Sequence, residues 1–237
     1  MNAERPVLVI PCYNESKRLD FDELKKYSDQ FTYFFVDDGS EDNTSDIIKE
    51  NLGEGATIIS LKHNRGKAEA VRTGMLRAIE QTDSPLIGFW DADLATPINE
   101  ALRAMSYLGS SDKTLSVWCS RVVRLGADVK RSKRRHYLGR IFATFLGFFL
   151  NLHSYDSQCG AKLFRRGVIP VAFGEKFISN WVFDVEIAMR LGTKQIFEMP
   201  VLQWHHRKGS KIRLLTDSIK VFTDIILIRK HYGKLRS

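Results

Sequence analysis

The chain has 237 residues, 43% of them hydrophobic and 27% charged, and carries a net charge of +8. That length supports one domain of the larger kind with a substantial core, and that composition excludes wholesale disorder. The cysteines Cys12, Cys119 and Cys159 are scattered and odd in number, which argues against a disulfide framework or a zinc site and suits a reducing compartment.

Arg5-Pro6 leads straight into Val7–Ile10, so no secretory leader is expected ahead of this first strand. Phe21–Tyr27 reads as a short helix, Tyr33–Val36 as a strand, and Ser45–Asn51 as a helix opened by Asn43-Thr44. Thr57–Leu61 reads as a strand. Gly66–Gln81 has helical spacing at Ala70, Val71, Met75, Ala78 and Ile79. Leu86–Trp90 is a strand, Ile98–Leu108 a helix and Leu115–Cys119 a strand. Short apolar runs alternating with helical patterns predict a mostly parallel sheet with covering helices. The second half is less regular. Ile141–Leu152 is strongly apolar, Ala161–Phe164 and Gln195–Met199 read as strands, and Trp181–Leu191 reads as a helix. The tail from Leu214 to Tyr232 is helical, with Ile219, Phe222, Thr223, Ile226 and Leu227 on one stripe.

Ligands in such sheets sit at the carboxyl ends of the strands. Those ends carry Pro11-Cys12-Tyr13-Asn14-Glu15, Asp37-Asp38-Gly39-Ser40, His63-Asn64-Arg65-Gly66-Lys67, Asp91-Ala92-Asp93 and Ser120-Arg121. Five polar ends in succession describe one polar crevice. Asp91 and Asp93 offer hard oxygen ligands that suit Mg²⁺ or Mn²⁺ shared with substrate phosphates. The plainer alternative makes Asp93 a helix cap and both acids solvated loop residues. Gly66 at a helix start, flanked by Arg65 and Lys67, is a seat for phosphate; it could equally be a helix start with exposed bases. Carboxylates, phosphate donors and Tyr13 for a base face together predict a nucleotide site with a diphosphate and a metal.

The chain resembles the family 2 glycosyltransferases with the GT-A fold. The resemblance is carried in family order by "VIPCYNESKRL", "VDDGSEDNT", "NRGKAEAVRTGM", "DADLATP", "YDSQCGAKLFRR", "NWVFDVE" and "WHHRKGSKI". Within the family it is most similar to the dolichyl-phosphate β-glucosyltransferase branch. The resemblance implies an α/β GT-A fold: a Rossmann-like, mostly parallel sheet flanked by helices, with an irregular C-terminal half. It implies one domain over 1–237, with a nucleotide-sugar half at 1–121 and an acceptor half at 122–237.

The resemblance also implies roles. Pro11, Tyr13, Glu15 and Asp38 would hold the nucleoside, and Arg65 and Lys67 the nucleotide and its phosphates. Asp91 and Asp93 match the family's DxD pair, with Asp93 the direct metal contact. Mannosyl-type relatives carry a metal-reaching Gln where this chain has Ala95, and the glucosyl branch tends to have Ala. Asp184 and Glu186 fall in the Phe-Asp-Val-Glu match. Asp184 is a candidate general base for a hydroxyl acceptor, or an ordinary acid at a helix start. Arg121, Arg135, Arg207, Ser210 and Lys211 would lie where polyprenyl-phosphate members bind the acceptor phosphate. Animal and fungal members of the branch carry an N-terminal membrane anchor, which this chain is expected to lack.

Charge patterning fits an anionic partner. Residues 124–140 carry seven bases against Asp128, and residues 205–237 nine against Asp217 and Asp224. The rest of the chain is therefore mildly acidic. The apolar run beside the first basic patch is too short to span a bilayer. Residues 136–152 and 214–232 are instead candidate interfacial helices on an anionic leaflet, or buried core helices. The reading is an inverting glycosyltransferase moving glucose from UDP-glucose to a polyprenyl phosphate. It would use Mg²⁺ or Mn²⁺ and work peripherally at the cytoplasmic face of a membrane. The alternatives are a hydroxyl acceptor or a GDP-mannose donor. A nucleic-acid partner is not expected, since the basic patches carry no recognised motif and an acidic crevice has no role there. Nothing in the sequence speaks to oligomeric state.

Overall fold

A computed structural model describes residues 4–205 and 214–233, with the backbone alone for residue 135 and residues 214–219. Its first half alternates as the sequence predicts: β1 (Val7–Cys12), α1 (Phe21–Lys26), β2 (Thr32–Asp37), α2 (Thr44–Leu52), β3 (Ala56–Ser60), α3 (Lys67–Gln81), β4 (Leu86–Trp90), α4 (Asn99–Gly109) and β5 (Ser116–Ser120). There follow β6 (Asp128–Lys130), α5 (Lys133–Leu150), β7 (Ala161–Arg165), α6 (Ile169–Phe173), α7 (Phe183–Leu191), β8 (Ile196–Pro200), β9 (Gln203–His205) and α8 (Leu214–Tyr232). The sequence reading did not anticipate β6, β9 or α6. The strands β6 and β9 are only three residues each and make a separate parallel pair, too short for a hydrophobic period to register.

Seven strands form the main sheet in the order β3-β2-β1-β4-β7-β5-β8. All run one way except β7, which is antiparallel to both β4 and β5. The sheet therefore interleaves the two halves of the chain. Its central strands are buried on both faces, which explains their near-continuous apolar sequence. Successive side chains divide between two cores. Val7, Val9, Phe34, Val36, Ile87 and Phe89 face one, while Leu8, Ile10, Tyr33, Phe35 and Trp90 face the other. Helix α3 lies so close to the first face that a Cβ at Gly74 would overlap Val9, so only glycine fits there.

This topology places the ends of β1, β2, β4 and β5 and the beginning of β7 on one edge. The Asp91 N–H, just past β4, donates to the Gly160 carbonyl just before β7 at 2.8 Å.

The two candidate interfacial helices are each packed on one side only. On α5, Ala143, Leu146 and Leu150 are buried, while Tyr137, Leu138, Ile141 and Phe148 are exposed. On α8, Asp224, Ile225 and Ile228 turn inward. Of the stripe read from sequence, Phe222, Thr223, Ile226 and Leu227 face outward; the side chain of Ile219 lies outside the described residues. The two helices touch through Phe145 and Phe222, whose ring centroids are 5.6 Å apart. No helix among the described residues is long and apolar enough to cross a membrane.

Candidate active site

Two loops form one wall of the crevice. The turn after β1 is tied to the turn after β2: the Asn14 N–H donates to Ser40 Oγ at 3.0 Å and the Glu41 N–H to Asn14 Oδ1 at 2.8 Å. Asn14 has φ +54°, a conformation that asparagine tolerates better than most residues. The Glu15 N–H donates to Thr44 Oγ1 at 2.9 Å. These bonds hold the half-buried Tyr13 and Glu15 beside Asp38.

Asp38 is buried, and its carboxylate accepts the N–H groups of Arg65 at 2.7 Å and Gly66 at 2.8 Å. Burial pushes its pKa up, and the two amides only partly offset this. The sequence suggested these amides as a phosphate seat. They are instead aimed at the protein's own carboxylate, which leaves the side chains of Arg65 and Lys67 to meet a ligand.

The paired acids follow β4. Lys67 Nζ is ion-paired with Asp91. Burial opposes charge on Lys67, but Asp91, Asp184 and Asp93 outweigh it and raise its pKa. Asp93 Oδ1 accepts the Ala95 N–H at 3.0 Å, and Arg18 Nη2 stands 3.7 Å from Asp93 Oδ2. Arg18 also bridges to Glu15 at 3.0 Å. A Cβ at Gly160 would overlap the Asp91 carboxylate, so the residue before β7 is part of this site. Two exposed-edge carboxylates suit a hard cation that keeps waters and shares its shell with phosphates. Among the described residues no three Asp, Glu, His or Cys side chains are grouped so as to hold a metal ion by themselves.

Asp184 forms the floor. It is 5% exposed at the start of α7, and Lys162 Nζ donates to its Oδ1 at 2.5 Å. Burial raises the pKa of Asp184 against the pull of Lys162 and Lys67. Lys162 is wholly buried on β7, donates also to the Cys159 carbonyl at 2.5 Å, and lies over the Trp118 and Phe89 rings at 4.7 and 5.3 Å. The sequence reading treated Lys162 only as part of a strand. Its signal was a lysine inside an otherwise buried apolar run. The adjacent Glu186 is also buried, but it accepts the Ile178 and Ser179 N–H groups at 3.0 and 2.8 Å and shapes the entry to α7.

The other wall is basic. Arg121 donates from Nε and Nη2 to both oxygens of Asp156, at 2.6 and 2.7 Å, and covers the Trp204 ring at 5.5 Å. Arg131 approaches the same carboxylate at 3.8 Å. Two guanidinium groups thus share one buried acid. Glu198 holds Asp156 from behind by accepting the N–H groups of Tyr155 and Asp156 at 2.8 and 2.6 Å. Arg135 belongs to α5, but its side chain lies outside the described residues, as do Arg207, Ser210 and Lys211.

Burial alone would push Asp156 up, but Arg121, with Arg131, brings it down to about 2 from 3.8. A depressed carboxylate stabilises the fold above its unfolded pKa and loses that contribution as pH falls through the folded one. Between pH 5 and pH 2 the protein should lose about 2 kcal/mol of stability from this group. Urea unfolding of wild type and Asp156→Asn across that range checks it: equal acid slopes would refute the assignment.

Comparison with known proteins shows the family and the fold. The sequence profile of "Glycosyl transferase family 2" matches residues 7–171. Dolichyl-phosphate beta-glucosyltransferase of Saccharomyces cerevisiae is 35% identical over 95% of this chain and 74% of its own length. The Homo sapiens protein of that name is 29% identical over 95% of this chain and 75% of its own length. In fold, the chain is similar to glucosyl-3-phosphoglycerate synthase from Mycobacterium tuberculosis in complex with uridine-diphosphate, with TM-score 0.71 and 18% identity over 98% of this chain and 82% of that one. A second crystal structure of that enzyme, holding Mn²⁺, uridine-diphosphate and glucosyl-3-phosphoglycerate, aligns with TM-score 0.70 and 17% identity over 98% and 81%. These structural likenesses carry the fold alone, which is that of the GT-A glycosyltransferases.

Proposed function

We propose, starting from the fact that the chain belongs to glycosyltransferase family 2, that it transfers glucose from UDP-glucose to a dolichyl or related polyprenyl phosphate. The observation that carries this reading is the 35% identity to the yeast dolichyl-phosphate beta-glucosyltransferase over 95% of the chain. Pro11, Tyr13, Glu15 and Asp38 line the place for the nucleoside, and Arg65 and Lys67 meet its phosphates. Asp91 and Asp93 would hold Mg²⁺ or Mn²⁺, with Asp93 the direct contact. When bound, that cation neutralises the diphosphate leaving group without proton transfer.

A phosphate acceptor is already anionic near neutral pH, so it needs positioning against repulsion more than a base. The state of Asp184 supports this. A carboxylate 5% exposed and bound to Lys162 is poorly placed to take a proton from a hydroxyl. On the acceptor side, Arg121, Arg135, Arg207, Ser210 and Lys211 are the phosphate-holding candidates. The exposed apolar faces of α5 and α8 support a lipid-bearing acceptor. Ile141, Phe148, Phe222, Ile226 and Leu227 stand out from them, with Arg134, Arg229 and Lys230 on the same two helices. A protein so built meets an anionic leaflet peripherally, here on its cytoplasmic face.

A radiolabel transfer assay with Mn²⁺ and a polyprenyl phosphate tests the reading. Label should move into the organic phase from UDP-glucose and not from GDP-mannose. Asp93→Ala should lower the rate at least about 100-fold, as expected when several kcal/mol of charge stabilisation is lost. Transfer from GDP-mannose would overturn the donor; transfer only to hydroxyl acceptors would overturn the acceptor.

A further inference from the structure

Lys67 stands where a cation held by Asp91 would have to stand. It is the first residue of α3, and its ammonium is ion-paired with Asp91. Asp184 and Asp93 act on the same ammonium. Of the two acids, Arg18 approaches Asp93, at 3.7 Å. Asp91 is therefore already neutralised by a side chain of the protein. A hard dication and a lysine ammonium cannot share one carboxylate oxygen without repelling each other.

The local structure lets the lysine leave. Its side chain is 42% exposed. The turn it stands on is pinned by the bonds from Arg65 and Gly66 to Asp38, so the ammonium can swing without moving the backbone. An anion arriving at the mouth of the crevice offers it a new partner there.

We propose that Lys67 is the resident counter-ion of the Asp91–Asp93 pair, expelled from Asp91 by a divalent cation and then taken up by the diphosphate of the incoming nucleotide. The proposal rests on the reading of Asp91 and Asp93 as cation ligands and goes further: it makes one side chain the link between cation and nucleotide binding. Each ligand then favours the other, because the first to arrive frees a charge for the second.

Binding of Mn²⁺ alone to the full chain, read from the electron paramagnetic resonance signal of free Mn²⁺, tests this without any turnover. Lys67→Gln should bind Mn²⁺ about fivefold more tightly than wild type, the scale of one exposed ion pair. Arg65→Gln removes a charge one residue away that is bridged to Glu69 at 3.7 Å instead; it should change the affinity less than about twofold. Adding uridine diphosphate should tighten Mn²⁺ binding less in Lys67→Gln than in wild type. Lys67→Met, with thermal unfolding of each variant, guards against misfolding in any single one. Unchanged or weaker Mn²⁺ binding in both Lys67 variants, or equal tightening in Arg65→Gln, overturns the proposal. The Asp93→Ala variant separates the two levels. If it binds Mn²⁺ as wild type does, the cation site itself is wrong and the proposal falls with it. If it loses the ion while Lys67→Gln shows no gain, only the counter-ion role is wrong.

Discussion

Replacing Lys162 with methionine should lower the unfolding free energy by about 3–5 kcal/mol, the range for breaking a buried ion pair by removing one partner. Lys162 has no exposed surface and its partner Asp184 almost none. Methionine fills much of the same volume against Trp118 and Phe89, so the loss comes from the charge left behind. Lys67 still acts on Asp184, but from the open side of the crevice, where water screens it. The sign with pH is fixed. Burial raises the pKa of Asp184, and in the variant it rises further. A carboxylate whose folded pKa is raised favours the folded state at low pH and loses that as pH climbs. The deficit of Lys162→Met should therefore be smallest in acid and grow toward neutrality. The double variant Lys162→Met/Asp184→Leu should recover most of the loss, because a packed apolar pair is often as stable as the ion pair it replaces. Urea unfolding of the three proteins at two pH values decides it. A single variant less than about 1 kcal/mol below wild type would mean that the pair is not load-carrying in the fold.

Gly160→Ala should do the opposite: leave stability nearly intact and remove activity. The three atoms nearest the added methyl all belong to the Asp91 carboxylate. Asp91 is 40% exposed and can rotate away, so the fold should lose no more than about 1 kcal/mol. Its carboxylate then leaves the position between Lys67 and Asp93. Misplacing a positioned group by about 1 Å can cost about 100-fold in rate, and kcat/KM for glucosyl transfer should fall by that order. Thermal unfolding measured beside the transfer rate and Mn²⁺ affinity is the check. An active variant that binds Mn²⁺ normally would show that Asp91 tolerates the displacement. A collapsed Tm would show that Gly160 serves the sheet rather than the site.

The first half of the chain was legible because its signals are local. The predicted strands Tyr33–Val36, Thr57–Leu61 and Leu86–Trp90 lie within a residue of β2, β3 and β4. Each is an apolar run bounded by turn residues, and the polar residues at its end mark the crevice. The helix at Gly66–Gln81 starts one residue before α3 and ends with it. Later segments were harder. The outward stripe of α8 was visible, but Val221, Ile225 and Ile228 are also apolar, so periodicity alone could not say which face packs. The hydrogen bond from Ser179 Oγ to Asp224 at 2.6 Å helps to set that rotation, and it joins residues 45 apart.

Local sequence is enough to set the alternation of strands and helices, the acids and bases at the strand ends, and the family that they mark. These depend on hydrophobic period and turn chemistry over a few neighbouring residues. Tertiary structure decided the reversed direction of β7, which brings Gly160 against Asp91. It also decided the partner of each charge: Lys67 with Asp91, Lys162 with Asp184, Arg121 with Asp156. Coulomb attraction and burial act through space, and the last two pairs join residues 22 and 35 positions apart. No local pattern could choose among the many acids and bases this chain contains; only the packed sheet, by fixing which of them meet away from water, makes the choice.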